Sequence, residues 1–150
     1  MFLTKRHAGM RSALVLLAFT CLTGLVSVFG PFVTAPELEL GYFGAGQLEQ
    51  YGWLLLFGFG AVLVFTAIAL LIWRCFRILG TTGVIIGALG LLANWSMLSV
   101  VDELRAAAPN PEWVSLIRAG WGSTIGLVAS SGVVVCSVIV FVLKRSATSI

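Results

Sequence analysis

Four long runs without a charged side chain dominate this sequence and limit how the chain can fold. They extend over Ser12 to Val33, Gly52 to Trp73, Ile78 to Val101 and Ala119 to Leu143. A helix needs about 20 residues, at ~1.5 Å each, to cross a ~30 Å hydrocarbon layer, and each run is long enough. The runs also lack the alternation that is typical of barrel strands. The sequence therefore predicts an all-α integral membrane protein, in which residues 1–150 form a single membrane domain built as a four-transmembrane-helix bundle.

The amino-acid composition also favours a membrane protein. Hydrophobic residues make up 59% of the chain and charged residues 10%, whereas a soluble domain carries about 25% charged residues. A soluble chain of this length has too little interior to cover so much apolar surface. The net charge of +3 does not indicate a nucleic-acid partner, because the basic residues stand at the ends of apolar runs and anchor helices there. We therefore expect the lipid bilayer to be the chain's first partner.

The first run has an alternative interpretation as a cleaved signal peptide. A basic start precedes it, but the run is longer than the usual apolar region of about 7–15 residues. The nearby small-residue site, Val33-Thr34-Ala35, is followed by Pro36, which hinders cleavage. Retention as a membrane helix is the favoured interpretation.

The distribution of charge predicts the orientation. The two tails and the link between the second and third runs carry seven basic residues and no acidic one: Lys5, Arg6, Arg11, Arg74, Arg77, Lys144 and Arg145. The two remaining segments carry Arg105 and Arg118 with all six acidic residues: Glu37, Glu39, Glu49, Asp102, Glu103 and Glu112. Short loops rich in Lys and Arg stay in the cytoplasm. We therefore expect both termini inside (N-in/C-in). Arg outnumbers Lys seven to two, as in GC-rich bacterial genomes, so we expect the membrane to be the inner cell membrane of a bacterium.

Aromatic residues are expected to mark the membrane borders. Most lie at or near the ends of the runs, where amphipathic rings prefer to sit: Tyr51, Trp53, Trp73, Trp113 and Trp121. Trp95 is the exception, since it falls inside the third run, and we expect it to pack against another helix.

The connections differ in character. The link from Arg74 to Arg77 is very short and predicts an antiparallel hairpin. Thr34 to Gln50 is rich in glycine and glutamate, which predicts a flexible, acidic extracytoplasmic loop. Asn110 is a good N-cap residue and Pro111 suits a first helical position, so a short helical extension should precede the fourth span. This extension either projects beyond the membrane or bends near Gly120 and Gly122 into an interfacial turn.

Two stripes of small residues are the clearest packing signals. In the third span they are Gly80, Gly83, Gly87 and Gly90, followed by Asn94; in the fourth they are Gly122, Gly126 and Ser130. Such stripes let helix backbones approach closely. They either pack against each other within one bundle or form the interface with a partner subunit or a second copy of the chain. We also expect Asn94 to form a hydrogen bond across helices.

No span contains Asp, Glu, Lys, Arg or His, the residues on which proton relays and ion-coupled pumps usually depend. The sequence predicts no catalytic, cofactor-binding or metal site. Cys21 and Cys136 lie within spans and are expected to behave as small apolar groups, whereas Cys75 is a candidate for acylation. Asp102 and Glu103 are possible contacts for a cation or a partner at the outer face, although adjacent acids are usually just solvated.

Three functions are compatible with these features. The favoured hypothesis is a non-catalytic accessory or assembly subunit of a larger membrane complex. The second is a small oligomeric channel, holin or transporter, which predicts a polar stripe through Asn94 and Ser99. The third is an immunity or exclusion protein that acts against a pore-forming toxin or phage. An enzyme would need a site built from the outer acids.

Overall fold

Four long helices dominate the computed structural model, which describes residues 2–36, 38–43 and 46–148. They are α1 (Phe2–Val28), α2 (Glu49–Ile72), α3 (Phe76–Ala107) and α5 (Trp121–Thr148), and a short helix, α4, covers Pro111–Leu116. All four long helices are long and apolar enough to cross a membrane. The chain is therefore a mostly helical, membrane-embedded protein.

The four long helices pack in a ring in which each contacts two neighbours, in the order α1, α2, α3, α5 and back to α1. Neighbouring helices are antiparallel. In α1 and α2, for example, His7 lies against Trp73, while Gly24 faces Phe59. The start of α1, the end of α5 and the α2–α3 link consequently lie together at what we call the basic end, and the other two connections form the acidic end.

The α2–α3 link is a tight turn, which confirms the short connection predicted between these spans. Helix α2 ends at Ile72, and α3 begins at Phe76. Trp73 and Cys75 both take the left-handed conformation, with φ of 58° and 69°. The Trp73 N–H donates to the Ala69 carbonyl at 3.1 Å, which closes the last turn of α2. Two left-handed residues reverse the chain within four positions without a glycine.

Helices α1 and α3 end at residues other than the ends of the predicted spans. Helix α1 ends at Val28 rather than Val33, because the chain turns at Phe29 and Gly30 and then enters a strand. Helix α3 continues past Val101 to Ala107. Its last turns, from Asp102 onward, are polar and lead to α4.

A three-stranded antiparallel sheet covers the acidic end, so the fold is not entirely α-helical. Strand β1 (Val33–Ala35) lies between β2 (Leu38–Leu40) and β3 (Arg118–Ala119). Val33 pairs with Leu40 on one side and with Ala119 on the other.

The segment from Thr34 to Gln50 was predicted to be a flexible loop, and this was wrong where the structure describes it; Glu37 lies outside the described residues. Two buried rings, Phe32 before β1 and Tyr42 after β2, fix the sheet to the protein core, and their centroids are 5.9 Å apart. Aromatic burial therefore orders a segment whose glycines and glutamates suggested an irregular chain.

The predicted helical extension before the fourth span exists as α4, and it ends before α5 begins. Of the two expected arrangements, the structure has the bend. The Gly120 N–H donates to the Phe32 carbonyl at 2.8 Å, and the Gly122 N–H donates to the Pro31 carbonyl at 2.9 Å. Asn110 precedes α4 as predicted but makes no side-chain capping hydrogen bond. The break is thus held by hydrogen bonds to Pro31 and Phe32, in the segment between α1 and β1.

Trp95 does not pack against another helix, contrary to expectation, since 70% of its side chain is exposed. Gly58 of α2 faces Ile86 of α3, and following this antiparallel register brings Trp95 level with Tyr51 and Trp53. The rise from Phe76 to Trp95 is about 30 Å at ~1.5 Å per residue, close to the thickness of a hydrocarbon layer. Trp95 therefore lies on the outer surface of the bundle towards the acidic end, and α3 continues beyond it to Ala107.

Candidate interaction surfaces

The glycine stripe of α3 is buried and faces α5. Gly80 and Gly83 lie against Phe141 and Ser137, and Gly87 and Gly90 lie against Val134 and Ser130. A methyl group at Gly83 or Gly90 would overlap the hydroxyl of the facing serine. The absence of side chains on α3 therefore lets the two helices pack closely, as small residues do in membranes.

The small-residue stripe of α5 divides between two neighbours. Ser130 packs on α3, and Gly126 lies against the side chain of Asn94. Gly122 instead contacts the backbone of Gly30 and Pro31 at the end of α1. Both stripes are thus occupied inside one chain, which leaves a partner little access to them.

The serines that face the glycines have an unusual environment. Ser130 and Ser137 are fully buried, and their Oγ atoms have no hydrogen-bond partner among the described residues. Each hydroxyl lies over the α3 backbone at Gly90 or Gly83, where weak contacts from Cα–H groups to oxygen are worth about 0.5–1 kcal/mol. Sequence reasoning placed Ser130 in a stripe and missed Ser137, which lies seven residues further along the same face.

Asn94 connects the bundle to the loop at the acidic end. Its Oδ1 accepts a hydrogen bond from the Tyr42 hydroxyl at 3.3 Å, and its Nδ2 donates to the Gly90 carbonyl at 2.8 Å. The side chain is 2% exposed. The expected bond to another helix is therefore replaced by one to the loop and one within α3. Nothing in the loop sequence distinguished Tyr42 as the partner.

Burial also changes the acidity of Tyr42. Its ring is 2% exposed, and desolvation raises the pKa of the phenol to about 12. The neutral hydroxyl is the form that donates to Asn94, so the hydrogen bond persists at any physiological pH.

Asp102 and Glu103 are both exposed near the end of α3. Asp102 lies 3.7 Å from Arg105 in an i,i+3 ion pair, a surface contact that contributes little stability. Arg105 Nε in turn donates to the Ile117 carbonyl at 3.0 Å. This hydrogen bond links α3 to the residue that precedes strand β3. Over the described ranges, no three His, Cys, Asp or Glu side chains come close enough to hold a metal ion.

The three cysteines are not paired with one another. Cys21 and Cys136 are buried, whereas Cys75 is exposed in the turn at the basic end. That exposure leaves the thiol accessible, and its acylation stays a prediction.

An open groove between α2 and α3 is a surface feature that the sequence did not predict. It lies towards the acidic end and has a volume of about 510 Å³. Large side chains of α2 form one wall, and small residues of α3 form part of the other. The lining includes Leu48, Tyr51, Leu54, Leu55, Leu92, Ala93, Ser96, Met97, Ser99 and Val100. Ala93 and Ser96 are the small residues of this α3 wall, which Leu89 and Val100 also line, and this face is turned away from the glycine stripe.

No protein-family model matches this sequence, and comparison with characterised proteins found no relative. Chemically, the arrangement offers apolar and small-residue surfaces for helix contact, together with an ordered polar cap.

Proposed function

We propose that this chain is a small non-catalytic membrane protein that serves as an accessory or assembly subunit of a larger membrane complex. It binds its partner by accepting a transmembrane helix of that partner in the groove between α2 and α3.

The observation that carries this proposal is the open groove beside the small residues Ala93, Ser96 and Ser99 of α3. The glycine stripe is already filled by α5, so a partner must use another surface. Ala93, Ser96 and Ser99 line the open groove, and Ser96 and Ser99 are exposed there. Small residues on a lipid-facing surface allow a second helix backbone to approach closely, and packing of this kind drives helix association in membranes.

The arrangement of polar side chains favours a subunit over a pore. A conducting stripe through Asn94 and Ser99 would need both side chains on one surface. Asn94 instead points into the bundle, whereas Ser99 is exposed and donates to the carbonyl of Ser96 at 2.6 Å.

We further propose that the basic end faces the cytoplasm of a bacterial cell and that the chain resides in the inner membrane. The exposed basic residues at that end include Lys5, Arg11, Arg74 and Arg77. Positive charge in short connections and tails opposes translocation. The sheet and α4 would then lie on the extracytoplasmic side, at the end where the partner helix enters the groove.

Affinity purification in mild detergent tests the subunit proposal. Ser96→Trp fills the groove, and Ser131→Trp is the matched control, because Ser131 is also exposed and bonds only within its own helix, to the Leu127 carbonyl. We expect a defined membrane protein to co-purify in constant ratio with the wild type and the control, and to be lost with Ser96→Trp. A wild-type chain that always runs alone would contradict the proposal, as would full retention of the partner by Ser96→Trp.

A further inference from the structure

The basic end concentrates positive charge on a small area. The exposed basic side chains there are Lys5, Arg11, Arg74, Arg77, Lys144 and Arg145. The five acidic residues that the structure describes lie in the two connections of the opposite end or the helix turns beside them: Glu39, Glu49, Asp102, Glu103 and Glu112. Basic clusters next to membrane helices attract anionic lipids by about 1 kcal/mol per Lys or Arg near the surface. Among the residues that the structure describes, no Asp or Glu side chain lies at the basic end, so the positive charge there favours an anion.

The Trp73 ring contacts the side chains of Arg11 and His7 from α1. The Arg11 guanidinium lies 5.9 Å from the centroid of the Trp73 ring, and the His7 ring lies 5.3 Å from it. A cation over an indole face is stabilised by about 0.5–1 kcal/mol at exposed sites. Arg11 is thus positioned at the membrane border beside α2, while its guanidinium donors keep access to a ligand.

A shallow groove leads from Arg11 along the lipid-facing side of α1. Its volume is about 570 Å³, and it is lined by Arg11, Ser12, Val15, Leu16 and Phe19. The polar residues come first and the apolar ones follow towards the membrane interior. From Arg11 to Phe19 the groove runs about 12 Å along the helix, at ~1.5 Å per residue. This sequence of polar and then apolar residues matches the structure of a phospholipid, in which a charged headgroup is followed by an acyl chain.

We propose that this groove binds one anionic phospholipid. The phosphate group accepts hydrogen bonds from the Arg11 guanidinium, which suits phosphate because it is planar and presents several donors. One acyl chain lies against Val15, Leu16 and Phe19. Arg74, which follows Trp73 in the turn, adds positive charge beside the headgroup. The site is independent of the partner groove, which lies between α2 and α3 at the opposite end.

Lipid retention measured by native mass spectrometry tests this inference on the purified full-length protein. We expect phosphatidylglycerol to be retained in preference to phosphatidylcholine of the same chain length. Arg11→Gln should reduce that preference about fivefold, the factor that corresponds to roughly 1 kcal/mol for one charge. Arg118→Gln is the matched control, because Arg118 is exposed at the acidic end, and it should leave the preference unchanged.

Two further arms separate a lipid from a free phosphate and test the acyl contact. Glycerol 3-phosphate should not displace the bound lipid, and Phe19→Ala should weaken retention of long-chain phosphatidylglycerol, although Phe19 is 66% exposed and contributes little to folding. Equal retention of the two lipids by the wild type would overturn the proposal. Equal losses in Arg11→Gln and Arg118→Gln, or displacement by glycerol 3-phosphate, would also overturn it.

Discussion

The hydroxyl of Tyr42 donates to Asn94 Oδ1 at 3.3 Å, across 52 positions of sequence. Both side chains are 2% exposed. This contact joins the first connection of the acidic end to the third span, at the level where α5 contributes Gly126. The hydrogen bond therefore links the sheet segment directly to the helix bundle.

Replacing Tyr42 by Phe should destabilise the fold. The substitution keeps the ring but leaves the buried Asn94 Oδ1 without its donor, and an unsatisfied buried acceptor costs about 1–3 kcal/mol. Reversible unfolding in SDS, followed by tryptophan fluorescence, measures the change in the free energy of unfolding. Tyr51→Phe is the control, because that side chain is 52% exposed and should change stability little. Equal effects of the two substitutions would contradict the role given to Tyr42.

Alkaline pH should weaken the fold through the same residue. Because burial raises the pKa of Tyr42 from 10.0 to about 12, the unfolded chain loses this proton before the folded chain does. The stability contributed by the neutral phenol is therefore complete below pH 10 and is lost as the pH rises towards 12. Unfolding of wild type and Tyr42→Phe at pH 9 and pH 11 isolates this contribution. The wild type should lose more stability than the variant; parallel losses would show that Tyr42 is not the group responsible.

Much of this architecture could be predicted, because the hydrophobic and glycine patterns each extend over many residues of the sequence. Long uncharged runs leave only helices as membrane-spanning structures, and the regular spacing of Gly83, Gly87 and Gly90 identified the face of α3 that packs most closely. The placement of positive charge identified the two groups of connections that share an end of the bundle.

The parts that sequence reasoning missed depend on contacts between distant, short segments. Strands of two or three residues carry no periodic pattern, and β1 pairs with β3 over more than 80 positions. The partner of Asn94 could not be identified, since nothing local separates Tyr42 from a solvated loop tyrosine. Trp95 was misplaced because an apolar run alone does not show which of its side chains face another helix.

A methyl group at Gly83 should loosen the contact between α3 and α5. It would overlap the side chain of Ser137, and overpacking of this kind costs about 1–3 kcal/mol. Gly60→Ala is the control, because a Cβ there meets nothing within 4 Å and alanine favours a helix interior by about 0.5–1 kcal/mol. SDS unfolding should show a loss for Gly83→Ala and no loss for Gly60→Ala.

A second substitution tests whether Ser137 is the cause. Ser137→Gly removes the atoms that the new methyl group would overlap, so the double variant Gly83→Ala with Ser137→Gly should recover stability relative to the sum of the two single changes. If the changes in the free energy of unfolding of the two single variants simply add in the double variant, the two positions do not contact each other.

Labelling of cysteines in intact cells should establish the orientation. Cys75 is exposed at the basic end, and the other two cysteines are buried, so a membrane-impermeant maleimide should react with the wild type only after permeabilisation. In a Cys75→Ser background, Glu112→Cys on the exposed helix α4 should react before permeabilisation. The reverse pattern would place the basic end outside and overturn the proposed topology.

Site-specific photo-crosslinking in native membranes tests the subunit assignment most directly. A photoreactive residue replaces Leu92, which lines the α2–α3 groove, or Val128 on α5; these side chains are 66% and 70% exposed. We expect Leu92 to give one cross-linked species with a defined membrane protein, identified by mass spectrometry, and Val128 to give lipid adducts alone. Lipid adducts alone at both positions, or the same protein adducts at both, would contradict a partner helix in the groove.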